Sequence, residues 1–410
     1  MVDFRVLTMN KTVKMLAIVG VLCVPLCASG ADWPHFRGPS SNGFSPETGL
    51  NKAWKEKAPE SLWQVAMGDG GFAGPCVAGG KVFIIDHRDN NDVVRALTLA
   101  DGKPVWEYTY EEKGKADHGR ARSTPTFEDG KLYTVSQSGI VNCLDARNGQ
   151  KVWSRNIVAD FKGKLPTWQV AFSPVIDGER LIVLPGGPDA CVAVLEKASG
   201  KTVWQGGGSD VPSYATPVIA TLNGKKQYII FTSAGINGVD AGKGQLLWSQ
   251  PWQTQHHVNA AAPLPVDNDK VFITSGYGHG CALLQVTENK AKILWENKEI
   301  QAHFSSSIFH EGRIYGTGDP GVLACLDAET GKVVWKHDGF EKGGIIAVDG
   351  TIIGLDGKGG DAIMVELSPK EYKELGRFKP LGGQSWTAPV VADGKLIVRN
   401  TKALACFKLK

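Results

Sequence analysis

Short apolar runs broken by Gly, Asp or Asn turns recur along the whole chain. The copies read "VAGGKVFII", "FEDGKLYTV", "IDGERLIVL", "LNGKKQYII", "VDNDKVFIT", "FHEGRIYGT", "AVDGTIIGL" and "VADGKLIVR", eight in all. A turn such as Asp129-Gly130 between β-rich runs predicts a hairpin. After each hairpin comes a third short run, for example "VNCLDA", then an acidic-to-Gly turn, then a fourth run that usually ends at Trp. Four antiparallel strands in a unit of roughly 40 to 50 residues describe one blade of a β-propeller.

The turn before the fourth run has its own spacing, acidic residue to Gly to Trp in steps of four. It occurs as Asp327, Gly331 and Trp335, as Asp145, Gly149 and Trp153, and as Asp240, Gly244 and Trp248, with Glu196, Gly200 and Trp204 as a variant. Looser copies end at Trp106 and Trp295. A motif built so often is scaffolding, so Trp63, Trp106, Trp153, Trp204, Trp248, Trp295 and Trp335 are read as structural. Gly376 stands where the seventh unit needs its Trp, which predicts a weak seam there.

The eighth hairpin is followed by a third strand, "ALACFKL", and by no fourth, whereas "SLWQV" at Ser61 to Val65 is a fourth strand with no blade before it. Joining the two closes the ring and leaves no open sheet edge. The expectation is an all-β, eight-bladed propeller of four-stranded antiparallel blades, the last closed by an N-terminal strand, over residues 61–410; seven blades is the alternative.

The first residues change the picture of where the chain works. Lys11 and Lys14 precede an apolar run from Met15 to Ala28 and then small residues, the pattern of an export signal over residues 1–31. That run is short for a bilayer span, and no later stretch is apolar enough to cross a membrane. Leu26 ahead of Cys27 argues against a lipid anchor there, because such sites need a small residue before the Cys. The expected location is therefore the periplasm or cell envelope, with residues 32–60 as an N-terminal extension. Removing the leader takes the formal net charge from +3 to about +1 and indicates no nucleic-acid surface. Six Cys remain, and Cys143, Cys325 and Cys406 occupy equivalent places in different repeats, too far apart for bonding. They read, with Cys76, Cys191 and Cys281, as small buried residues.

The Asp-x-x-x-Gly-x-x-x-Trp unit resembles the pyrroloquinoline-quinone-like propeller repeat, and the leader "DWPHFRGPSSNGFSPETGL" resembles segments preceding such propellers in exported bacterial proteins. The resemblance implies Trp rings docked in a girdle. It admits two kinds of function. Quinoprotein alcohol and glucose dehydrogenases hold the quinone and calcium in the funnel, and the best-known alcohol enzymes add a disulfide between adjacent Cys; no Cys-Cys pair and no matching calcium set occurs here. The propeller lipoprotein of the outer-membrane barrel-assembly machinery uses the same repeats as a cofactor-free scaffold, and the chain is closer to that branch.

Chain direction reverses at each strand, so the connections into each new blade share one face with the turns between second and third strands. That face rims the funnel, where propellers place ligands. Just before the inner strands stand Phe72, Arg122, Tyr214, His257, Phe304 and Trp386. Rings with Arg and His suit an anionic or sugar-like ligand or a peptide, and could equally cap the channel against one another. His118, Arg120 and Trp168 lie in the longest funnel-side loops. Arg120 and Arg122 could also simply pair with Asp117 or Glu111. His256 and His257 lead into blade five, His279 is its second turn, and His303 leads into blade six. Of these His257, His279 and His303 are weak metal candidates, since no tight ligand motif is present and adjacent His256 and His257 on an extended segment would point oppositely. The carboxylates of "DHRDNNDVV" lack calcium-loop spacing and read as a solvated turn.

The expectation is an exported binding scaffold for a protein or cell-envelope polymer, a monomer or part of a complex, with no catalytic residues and no cofactor. The alternatives are a small alcohol or sugar dehydrogenase using pyrroloquinoline quinone with calcium, and a metal-dependent carbohydrate-active enzyme.

Overall fold

The computed structural model describes residues 1, 31–68, 70–114 and 117–410. The leader expected over residues 1–31, Cys27 included, lies almost wholly outside the described residues. Eight antiparallel sheets follow one another round a ring. Blade 1 consists of strands Cys76–Ala78, Lys81–Arg88, Asn91–Thr98 and Pro104–Glu111. Blades 2 to 7 repeat the arrangement, and their innermost strands begin at Thr126, Val175, Val218, Leu264, Ile308 and Ile345. Blade 8 is Val390–Ala392, Lys395–Arg399 and Ala403–Lys408, completed by Ser61–Ala66, so both ends of the propeller share it. Eight blades with this closure are as expected, and the seven-bladed alternative falls.

Burial explains the strand patterns. The second and third strands are packed on both faces, and Lys81–Arg88 and Asn91–Thr98 are buried along almost their whole length. Fourth strands face solvent on one side, so Pro104–Glu111 and Ser61–Ala66 alternate. Each fourth strand also carries a register shift at the Trp position, which Gly376 fills in blade 7, for example between Lys151 and Trp153 and between Ser61 and Trp63. A bulge of this kind re-aims a side chain.

The re-aimed indoles reach the next blade's turn. Nε1 of Trp63 donates to Leu99 O at 2.9 Å, that of Trp106 to Ala146 O at 3.1 Å, and that of Trp153 to Lys197 O at 3.0 Å. Trp295 and Trp335 make the same bond to Ala328 and Ser368. Trp204 lies over Gly244 and stacks on Tyr228 with ring centroids 6.0 Å apart. Trp248 departs from the pattern. The next blade has Ala291 in the Gly place, and Nε1 turns back to Gln227 Oε1 of its own blade at 2.7 Å.

Gly376 does not leave a weak seam. Trp54, from the N-terminal extension, is buried against it and meets Phe378 edge-on at 5.1 Å. The extension supplies the indole that the seventh repeat lacks.

The same extension crosses the axis of the ring. Trp33 exchanges two 2.8 Å backbone bonds with Val77 of blade 1, and Pro34 O accepts from Phe127 N of blade 2. Arg37 reaches Ser307 O beside blade 6 at 2.7 Å. Phe44–Ser45 then pairs parallel with Ala347 and Val348, adding a fifth strand to blade 7. Residues 31–50 thus form a strap across the hairpin-turn end of the channel.

Candidate functional site

A central cavity of about 300 Å³ lies between the strap and the funnel mouth, a volume at the small end for a ligand site. Trp33, Phe36, Arg37 and Gly43 of the strap form its floor. The lead-in residues of the inner strands form its wall. Here hydroxyls link blade to blade: Thr124 N donates to Ser173 Oγ at 2.9 Å, Ser173 N to Thr216 Oγ1 at 2.9 Å, and Ala262 N to Ser306 Oγ at 3.1 Å.

Rings close much of the mouth. Phe72 stacks on Trp386 at 4.9 Å, Trp386 meets Phe304 at 5.1 Å, and Phe304 touches His303 at 6.1 Å. The series continues from His303 to Tyr277 at 4.4 Å, then to His256 at 5.7 Å and Trp168 at 5.9 Å. Trp168 ends it against His118 and Tyr214. The funnel-side rings therefore pack on one another, and the resulting collar stands over an open cavity rather than a filled channel.

The structure brings Phe72, His118, Arg122, Trp168 and Tyr214 to this cavity, together with His303, Phe304 and Trp386. Arg120 stands aside and donates to Gly114 O. His256 joins the collar through its ring contacts without lining the cavity, and His257 turns to Ser233 O at 3.3 Å. Neither histidine is on an extended segment: both have left-handed φ, 59° and 58°, within a short 3-10 turn. His279 packs edge-on against Trp252 at 4.4 Å. Among the described residues no group of three or more His, Cys, Asp or Glu could hold a metal.

Arg122 pairs with neither Asp117 nor Glu111 through a carboxylate. It donates to the backbone oxygens of Trp168, Asp117 and Gly119, and Glu111 instead holds Lys113. Burial holds the Arg122 guanidinium below its ordinary pKa, against weaker opposing effects of Tyr214 and Asp117. Burial likewise pulls Arg37 down to about 10. Its bonds go to the carbonyls of Ser41, Asn42 and Ser307. His303 is tied to Asp319, where burial is the largest single effect and works against ionisation, but the His303 bond and charge together with Lys342 outweigh it and keep the carboxyl below its usual range. Gly276 makes room for that imidazole, since a Cβ there would come within 2.5 Å of the ring.

Of the carboxylates of "DHRDNNDVV", Asp89 is exposed in the turn as expected, but Asp86 and Asp92 are not solvated. Asp86 is 1% exposed and holds Arg95 at 3.0 Å, and Asp92 is 1% exposed between His87 at 2.9 Å and the Tyr110 hydroxyl at 3.1 Å. Long second and third strands in blade 1 carry these groups inward, and burial raises the Asp92 pKa.

Reasoning from sequence missed Tyr277, Lys342 and the whole floor. Lys342 lies 5.6 Å from the Trp386 ring centroid. It falls within the funnel-side connection "FEKGGI", so its face was legible though its role was not. Nothing in the strap's local pattern announces that Arg37 ends beneath a cavity.

Calcium-held quinone chemistry can be tested against this lining. Calcium takes six to eight oxygen ligands with carboxylates among them. No Asp or Glu lines the cavity among the described residues. The residues present do not fit that group, and no step is derived through it.

The family profile described as outer membrane protein assembly factor BamB matches residues 47–183 and 90–337. The outer membrane protein assembly factor BamB of Yersinia pestis is 22% identical over 377 residues, covering 85% of this chain and 88% of the relative. The crystal structure of BamB from Moraxella catarrhalis superposes with a TM-score of 0.61 at 16% identity, covering 85% of this chain and 97% of that one. A quinohemoprotein alcohol dehydrogenase from Pseudomonas putida HK5 superposes with a TM-score of 0.65 at 13% identity, covering 92% and 80%. At such identities the structural likeness shows a shared fold alone, and one fold carries many activities.

Proposed function

The chain belongs to the outer membrane protein assembly factor BamB family, and from that premise we propose that it is an exported, non-catalytic scaffold that binds a protein partner in the cell envelope. The observation that carries this reading is the collar of rings on the funnel face. Phe72, Trp386, Phe304, Tyr277 and Trp168 stand on loops over a rigid ring, and Tyr277 is 42% exposed. Aromatic anchors fixed by a stiff scaffold supply contact area at little conformational cost. The leader over residues 1–31 would deliver the chain, leaving the extension of residues 32–60 and the propeller of residues 61–410 as the working protein.

A photo-crosslinking residue placed at Trp168 or Phe304 in the native envelope tests the reading. Capture of outer-membrane assembly proteins is expected at these positions and not at Val152, an exposed fourth-strand residue. Capture of a polysaccharide instead would move the partner from protein to envelope polymer. Dye-linked alcohol or sugar oxidation by purified protein given calcium and pyrroloquinoline quinone would overturn the scaffold reading.

A further inference from the structure

We propose that the blind cavity beneath the collar is a binding site for a small organic carboxylate with a flat, apolar body. The inference rests on what the lining can donate and accept, and it stands apart from the protein-scaffold reading.

The lining is rich in donors. Arg37 lies at the floor, Arg122 in the wall and Lys342 at the mouth, and none has a carboxylate oxygen within 4.0 Å among the described residues. The hydroxyls of Ser173, Thr216 and Ser306 each accept a backbone N–H from a neighbouring blade. Among the described residues their own protons have no acceptor, and the Thr124 hydroxyl has no partner. Acceptors are scarce by contrast: no Asp, Glu, Asn or Gln side chain lines the cavity among the described residues.

This balance selects the ligand. A neutral sugar brings as many O–H donors as acceptors, and its donors would be buried unmatched at about 1–3 kcal/mol each. A carboxylate brings only acceptors and meets cations and hydroxyl protons. Arg37 gains most, because a half-buried guanidinium bonded only to carbonyls lacks a counter-charge. The remaining surface is ring faces, with Trp33 and Phe36 below and Phe304 and Trp386 above, which suits a flat apolar body better than a hydrated one. The strap makes the site a dead end, so a ligand enters through the collar and stops at Arg37.

Isothermal titration of the mature protein with 2-naphthoate, its neutral amide 2-naphthamide, and glucuronate tests this. The expected result is a Kd for naphthoate below about 1 mM, at least about tenfold tighter than for the amide or glucuronate. Arg37→Met and Lys342→Met should each weaken naphthoate by at least about fivefold. Arg37→Met also removes three bonds that hold the strap, whereas the Lys342 side chain makes no hydrogen bond or ion pair among the described residues, so Lys342→Met decides the matter if the first variant does not fold. No binding up to about 10 mM naphthoate, equal binding of the amide, tighter binding of glucuronate, or an unchanged Kd in Lys342→Met overturns the proposal. None of these outcomes bears on whether the collar captures a protein partner, which the crosslinking reads separately.

Discussion

Gly331 lies directly under Trp295: a Cβ added to the glycine would sit 2.6 Å from the indole of the preceding blade. Gly102 under Trp63, Gly149 under Trp106, Gly200 under Trp153 and Gly244 under Trp204 repeat the relationship. In these five cases the repeat spacing pairs a Trp with the Gly of the following unit, not with the Gly of its own.

Gly331→Ala should therefore destabilise through two effects, a left-handed φ of 69° and a collision with Trp295. A loss of about 2–4 kcal/mol in urea unfolding is expected. Trp335→Ala, which empties a buried dock with its bond to Ser368, should cost about 3–5 kcal/mol. An unchanged midpoint for either variant would remove the inter-blade account.

Trp54→Ala should cost a comparable amount, about 3–5 kcal/mol, although Trp54 lies outside the repeats. Gly376 brings no indole of its own to the seam, and Trp54 packs there against Phe378. A change below about 1 kcal/mol in the same unfolding experiment would mean that the extension only rests on blade 7.

Acid should weaken the repeat turns. The Thr330 hydroxyl bond, with the Thr330 backbone N–H and Arg313, outweighs burial and holds the Asp327 carboxyl below its usual 3.8. A depressed folded-state pKa gives stability that is present above the unfolded value and lost as pH falls through the folded one. Asp327→Asn should be less stable than the parent at pH 7 and should lose less Tm between pH 6 and pH 3. Equal pH slopes would show that the carboxylate contributes nothing.

The six thiols of the described residues are free and fully buried. Burial pushes Cys143 and Cys325 up to about 11 and Cys191, Cys281 and Cys406 up to about 12. Thiolate is the reactive form, so the native protein should resist Ellman's reagent at pH 8 and release all six thiols in guanidinium. Rapid labelling of the native state would contradict this packing.

The sequence by itself determined the ring. Hairpin signals, the Trp ladder and the strand shared between Ser61–Ala66 and Ala403–Lys408 are local or periodic features, which is why blade number, closure and the funnel face were legible. Phe72, Trp168, Phe304 and Trp386 were legible too, because strand direction alone assigns their connections to that face. Only the tertiary structure decided what the face encloses. Arg37 meets Ser307 across 270 residues, and Trp54 of the extension meets Gly376 of blade 7, contacts between segments far apart in sequence with no shared period. Asp86 and Asp92 were misread for the same reason: their local string looks like a polar turn, and the partners that bury them, Arg95 and Tyr110, come from neighbouring strands. Periodicity records how each blade folds on itself, whereas a cavity is made of residues that meet only when the ring closes.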